Sequence, residues 1–220
     1  MEIPMLIAVA TRKGGVGKTT IATNLAVSRT IRGHTVKLID ADTDEYAYMW
    51  GMLRRQKNVE PNILLSKMTG NIYSDLMAER EAVDTVIVDV GGKNAPELIY
   101  AVGACDVLVL PAEAGQYDVW SLTAMAQMIN TMRASGRTFR IVTVMNKLSA
   151  DDRNALTVDL KAEFDKMKDT FGCEPIKVVK RNAFGVAASE GKGVAELRRN
   201  RDSEQAQDEI DMIYKGVFNG

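Results

Sequence analysis

The chain has 220 residues, which suits one large α/β domain over residues 1–220 with a sizeable core. A net charge of −1, with 46% hydrophobic and 26% charged residues, is that of an ordinary globular protein and excludes nucleic-acid binding through global charge. Two isolated cysteines, Cys105 and Cys173, with no C-x-x-C, argue against a disulfide framework and for a reducing cytoplasm. Met1-Glu-Ile-Pro4 has no basic region and no run is long and apolar enough to span a bilayer, so neither secretion nor membrane insertion is expected.

Strand-like and helix-like stretches alternate along the chain. That is the pattern of an α/β fold, a mostly parallel twisted sheet flanked by helices. The first apolar run, 6–10, leads into Lys13-Gly-Gly-Val-Gly-Lys-Thr-Thr20 and a helical stretch over 20–32. Strand, glycine loop and helix together make a phosphate-binding loop. Gly14, Gly15 and Gly17 let consecutive N–H groups turn around phosphate oxygens, and the helix N-terminus adds positive character. The nucleotide-binding set is Gly14, Gly15, Val16, Gly17, Lys18, Thr19 and Thr20. Lys18 is placed to reach the β- and γ-phosphates, and the Thr19 hydroxyl to ligate Mg²⁺. Arg12 stands where G-x-x-x-x-G-K-T puts its first glycine, and an extra lysine, Lys13, enters the loop.

The second run, 36–39, ends in Asp40-Ala-Asp42-Thr-Asp44 before a helical stretch over 45–57. In a nucleotide site one such carboxylate helps hold the metal and another orients an attacking water. The competing reading makes Asp42 and Asp44 helix N-caps. A third run, 63–65, and a helix over 71–81 precede the fourth run, 85–88, which ends at Asp89. A buried strand ending in a carboxylate needs a partner, and Mg²⁺ is the obvious one. Val90-Gly91-Gly92 suits a switch loop. After a helix over 95–103 and a fifth run over 107–110, Asp118 opens a long helix to 134 as an N-cap or first-turn residue. The sixth run, 141–145, ends in Asn146-Lys147-Leu-Ser149. Serine replaces the aspartate that reads guanine in N-K-x-D, so ATP is favoured, with Asn146 on a base edge. A helix over 151–170, a seventh run over 176–179, an irregular region over 185–203 and a helix over 204–218 complete the chain.

K-G-G-x-G-K-T-T at 13–20 resembles, residue for residue, the deviant Walker A loop of the ParA/MinD family of dimerising ATPases. The strand ending at Asp89 resembles its Walker B. The segment from Pro111 to Leu122 and the stretch from Lys180 to Tyr214 extend the likeness over nearly the whole chain. The layout is nearest to short plasmid-partition proteins that lack an N-terminal helix-turn-helix. The resemblance implies ATP hydrolysis with Mg²⁺ and an ATP-dependent homodimer. It assigns Lys13 a role in trans on the partner's nucleotide, in a catalytic set with Lys18 and Asp42. Thr19, Asp40 and Asp89 form the metal set. It further implies a ParB-like centromere-binding adaptor, sequence-independent binding to nucleoid DNA, and no membrane. Two segments depart from the family. Thr43-Asp44 replace Pro-Gln, and Val90-Gly91-Gly92 replace x-Pro-Pro.

For DNA the candidates are two basic groups, Lys180, Arg181 and Lys192, and Arg198, Arg199 and Arg201. On one face of a dimer they could hold phosphates without reading bases. Glu190, Glu196 and Asp202 are interspersed, so the competing reading is a solvated charged face. Rival functions are a MinD-like membrane-associated regulator, an iron–sulfur carrier, and a metabolic ATP-dependent enzyme on the same fold. Residues 208–220 carry apolar side chains but only one lysine, which favours core packing over a lipid-binding helix.

Overall fold

A computed structural model of the chain describes residues 3–92, 96–151 and 154–219. Its strands are β1 (Met5–Val9), β2 (Val36–Ala41), β3 (Leu64–Lys67), β4 (Thr85–Val90), β5 (Val107–Glu113), β6 (Arg140–Leu148) and β7 (Ile176–Val179). They form one seven-stranded sheet in the order β3-β2-β4-β1-β5-β6-β7. Every pairing is parallel. The helices are α1 (Lys18–Ile31), α2 (Tyr46–Gln56), α3 (Tyr73–Arg80), α4 (Glu97–Ala104), α5 (Gln116–Ala134), α6 (Ala155–Lys166), α7 (Lys168–Phe171), α8 (Asn182–Ser189) and α9 (Arg201–Phe218).

The central strands read as continuous apolar runs because both faces of the sheet are covered. Alternate side chains go to opposite layers. In β1, Leu6 and Ala8 join the core beneath α3, α4, α5 and α6, while Ile7 and Val9 join the core beneath α1, α2, α8 and α9. Ile210, Ile213 and Val217 of α9 are fully buried in that second core. The apolar side of α9 therefore faces the sheet, as core packing requires.

All seven expected strands are present, with β5 and β6 running further than their apolar cores suggest. The helix expected over 151–170 is divided at Met167 into α6 and α7. Ala95, Asp152 and Arg153, expected in helices, lie outside the described residues. The larger correction falls on 185–203, expected to be irregular. Its first part belongs to α8, and a single 3₁₀ turn occupies Val194–Glu196. α8 has no local cap. Its Ala183 N–H donates instead to Asp202 Oδ2 at 2.8 Å, nineteen residues on. α9 opens with a reciprocal pair, Asn200 and Ser203, each side chain accepting the other's backbone N–H at 2.9 Å.

The segment from Gly191 to Glu196 is clamped between two helices. From α2, Trp50 Nε1 donates to Lys192 O at 3.3 Å and Arg54 donates to Gly191 O at 3.1 Å. Buried Arg54 also holds both oxygens of Glu196 at 2.7 Å. From α1, Asn24 Oδ1 accepts the Val194 N–H at 2.8 Å. Gly191 has φ +67°, and a Cβ there would stand 2.7 Å from the Arg54 backbone. Gly191→Ala is therefore expected to lower stability by about 1–3 kcal/mol, read as a lower urea midpoint at unchanged slope.

Candidate nucleotide site

A cavity of about 750 Å³ opens at the carboxyl ends of the central strands. The loop after β1 supplies Gly14, Gly15, Gly17, Lys18, Thr19 and Thr20 to its wall; Asp42, Gly91, Gly92, Glu97 and Lys147 stand around it. Most of the residues expected to bind nucleotide are thus brought together. Val16 is fully buried and contributes its carbonyl rather than a cavity surface.

The glycine loop is held from behind by the end of β6. Asn146 Nδ2 donates to Val16 O at 2.7 Å, and the Lys147 ammonium donates to Gly15 O and pairs with Glu113 at 3.3 Å. Carbonyls held this way are unavailable to oppose a phosphate, leaving that role to the loop's N–H groups. Asn146 was expected on a base edge. It is only 5% exposed, and one N–H of its amide goes to the loop, so the structure gives it the part of a clamp.

The floor of the cavity concentrates buried charge. Lys18 is 6% exposed, and burial lowers its pKa, with Asp89 and Asp42 opposing. Lys18 Nζ donates to Lys13 O at 3.0 Å. Burial pushes the Asp89 carboxyl up to about 7, opposed by a 2.6 Å bond from the Thr19 hydroxyl to Oδ2. Asp89 Oδ1 is buried and has no hydrogen-bond partner among the described residues. A buried anionic oxygen beside a threonine hydroxyl fits a hydrated divalent cation. Thr19 and Asp89 are the residues that could hold one.

Asp40, expected in the metal set, has both oxygens committed to backbone. Oδ1 accepts the Asp42 N–H at 3.0 Å and Oδ2 the Tyr48 N–H at 2.8 Å. Burial raises its pKa, and these two bonds counter the rise. Asp40 is thus the remote cap that sets the first turn of α2 and the loop carrying Asp42. Neither Asp42 nor Asp44 caps α2 through its side chain. Asp42 Oδ1 instead accepts the Asp44 N–H at 3.2 Å.

The two glycines after Asp89 have a steric reason. A Cβ on Gly92 would lie 2.8 Å from Gly14 N and 2.9 Å from Lys13 C, so the segment expected to act as a switch rests directly on the phosphate loop. On the loop's other side Lys13 does not line the cavity. Its ammonium pairs with Asp118 in the first turn of α5, and Asp118 is 1% exposed. Asp118 Oδ1 accepts the Glu113 N–H at 2.9 Å.

The basic residues separate into two kinds. Arg181 donates to Glu209 Oε1 at 3.1 and 2.7 Å and to Gln205 at 2.8 Å, and Lys192 pairs with Glu190 at 2.7 Å. Those two charges are offset within the chain. Lys180, Arg198, Arg199 and Arg201 are exposed and make no ion pair among the described residues. Arg199 borders a groove shared with Glu204, Asp208 and Asp211. The Cys105 thiol is buried, which pushes its pKa up to about 12 and suits a core residue.

Sequence reasoning missed Lys147 and Glu97 at the cavity. The Asn-Lys pair at a strand end was a signal for Lys147. Glu97 gave only an acid after a proline; its Oε1 accepts the Gly70 N–H at 2.6 Å and ties α4 to the loop after β3. If Asn146 clamps the loop rather than reading a base, Asn146→Ala should weaken ATP and GTP equally, by about tenfold for one lost bond. Titration with fluorescent analogues of both nucleotides checks this; a changed ATP-to-GTP ratio would restore the base-reading role.

The model of the CobQ/CobB/MinD/ParA nucleotide-binding domain matches residues 7–193. The "Maintenance of carboxysome distribution protein A" of Halothiobacillus neapolitanus is 28% identical over 220 residues, covering 96% of this chain and 95% of its own. Among solved structures, an ATP complex of a Cyanothece McdA variant superposes with a TM-score of 0.77 at 17% identity, covering 99% of this chain and 97% of that one. A putative plasmid partition protein of Borrelia burgdorferi bound to AMPPNP gives 0.69 at 19% identity, covering 96% and 98%. At such identities the two structures attest the fold. The family model spans most of the chain, and this protein belongs to the CobQ/CobB/MinD/ParA nucleotide-binding family.

Proposed function

We propose that this chain is a ParA-type positioning ATPase of the cytoplasm. Mg-ATP joins two copies into a dimer, and the dimer holds duplex DNA of the nucleoid without reading its sequence. Hydrolysis, stimulated by a ParB-like adaptor, releases it and moves a cargo such as a plasmid or a protein assembly. The relative named for carboxysome distribution and the neighbour named for plasmid partition support a positioning role.

One observation carries the reading. The loop has two lysines with different stations: Lys18 is buried in the cavity, while Lys13 has 29% of its side chain exposed and is turned onto Asp118. The phosphate lysine is already in place, so Lys13 is spare in its own site and suited to a nucleotide held by a second copy. Bound ATP would supply the transferable phosphoryl group, and Mg²⁺ held by Thr19 and Asp89 would offset its charge. Within the chain, Lys18 and the loop N–H groups bind and orient phosphate. Asp42, half-buried at the cavity wall, is placed to orient water.

Lys13→Ala should leave nucleotide affinity of the monomer near wild type, abolish the ATP-dependent dimer in light scattering, and cut turnover by ~100-fold or more. A variant that dimerises and turns over normally contradicts the trans role. Asp42→Ala should bind ATP and accumulate as dimer with turnover reduced by a similar ~100-fold; unchanged saturated turnover refutes water orientation.

Exposure without an ion pair among the described residues supports Lys180, Arg198, Arg199 and Arg201 as the DNA residues. Replacing Lys180, Arg198, Arg199 and Arg201 together by alanine should abolish ATP-dependent duplex binding and spare dimerisation. Wild-type binding should fall steeply with salt and be equal on unrelated duplexes. Arg181→Ala should instead destabilise the fold by about 1–3 kcal/mol, because it strands the buried Glu209 carboxylate. Duplex binding that ignores nucleotide state, or survives the quadruple replacement, refutes the DNA switch.

A further inference from the structure

α5 buries one face and exposes the other. Leu122, Met125, Ala126 and Ile129 lie in the core beneath it. Thr123, Gln127 and Thr131 on the outward side are exposed and polar, as a solvated helix requires. One residue breaks the pattern. Trp120, in the first turn, is 60% exposed, whereas the chain's other tryptophan, Trp50, is 7% exposed. A single exposed apolar residue needs no explanation, but its place on an otherwise polar face does.

The start of α5, which carries Trp120, is bonded to the phosphate-loop segment at two points. Two residues earlier, Asp118 holds the Lys13 ammonium. One residue later, the Ser121 hydroxyl bonds the Thr11 hydroxyl at 3.2 Å, just before the loop. The turn carrying Trp120 therefore moves with the backbone that carries Lys13. Ile99, 58% exposed in the first turn of α4, lies at the same end and on the same face of the sheet.

We propose that Trp120 is the apolar anchor of the ATP-dependent contact between two copies of this chain, buried against the partner when Lys13 engages the partner's nucleotide. The inference rests on the dimer reading above and names the residue that contact depends on. The occupant is a second copy because the start of α5, which carries the tryptophan, is bonded to the segment that delivers Lys13 across. A two-fold contact is self-complementary, so each copy brings one Trp120 and the effect of the anchor counts twice. Tryptophan is the side chain most enriched where such contacts gain their free energy, and charged residues are depleted there.

The chain's two tryptophans make the test direct. In the full-length protein, Trp50→Phe leaves Trp120 as the only indole. Emission and iodide quenching are followed against protein concentration with Mg-ATP and with Mg-ADP, alongside light scattering, on this variant and on wild type. With ATP, emission should shift to the blue and quenching should fall at the concentration where dimer mass appears; with ADP neither should change. Trp120→Ala, at an exposed site, should keep the monomer's nucleotide affinity and weaken the dimer by ~30-fold or more, as loss of a hot-spot residue does. An ATP dimer in which Trp120 stays as quenchable as in the monomer overturns the anchor while the dimer reading stands. So does a Trp120→Ala protein that dimerises like wild type. Protection that requires an added adaptor protein, and not ATP alone, also overturns it and assigns the surface to that partner. If no ATP dimer forms at all, both inferences fall.

Discussion

Asp89 sets the problem that the site is arranged around. Its carboxylate ends a strand buried on both faces, and one of its oxygens has no partner among the described residues. Holding it ionised at neutral pH, when burial has raised its pKa from 3.8 to about 7, costs on the order of 4 kcal/mol. Thr19 relieves one oxygen, and Lys18 and the neighbouring carboxylates do not settle the rest. A cation brought in with a phosphate chain would offset the carboxylates, and the phosphates would offset Lys18. The cavity therefore binds with the chemistry its own electrostatics leave incomplete. A fold that had neutralised Asp89 internally would have less to gain from a ligand.

The geometry around that charge propagates outward through backbone bonds. Asp40 lies opposite Asp89 in the pairing of β2 with β4. It uses both oxygens to fix the Asp42 loop and the first turn of α2. α2 in turn grips Gly191, Lys192 and Glu196 through Trp50 and Arg54. α1, which begins in the phosphate loop, grips Val194 through Asn24. The 191–196 segment thus touches both helices that leave the nucleotide site. Arg198, Arg199 and Arg201, exposed and without an ion pair among the described residues, follow shortly after it. A shift of α2 relative to α1 has to be taken up there, because the segment's backbone is bonded to both.

The sheet was legible because each strand is a short apolar run ending at a polar or glycine-rich turn, a property of consecutive residues. The phosphate loop was legible for the same reason, with its eight residues adjacent. What escaped the sequence depends on partners far away along the chain. α8 is capped by an aspartate nineteen residues later, and nothing in 182–189 announces it. Arg181 and Arg198 look alike in sequence, yet Glu209 offsets the charge of the first, with Gln205 accepting a further hydrogen bond, while the second makes no ion pair among the described residues. Asn146 suggested base reading because its motif does so elsewhere. Its partner here, Val16, is 130 residues away, and only the packing of β6 behind the loop makes it a clamp.

The departures from the family pattern also acquire a physical meaning in the fold. With Gly91 and Gly92 after Asp89, the chain omits the side chains that would stand between the second switch and the phosphate loop. Gly92 comes against Lys13 and Gly14, and Gly91 against Asp42, at distances where a Cβ would meet neighbouring atoms at 2.8 to 3.3 Å. Backbone packed on backbone transmits a displacement with little slack. Gly92 is in close contact with Lys13 itself. Lys13 is balanced at that point between this contact and its pair with Asp118, which anchors the first turn of α5. On the function proposed above, a movement of the 91–92 segment would bear first on the loop geometry that holds Lys13 to Asp118, and would link the nucleotide to the availability of Lys13 by direct contact.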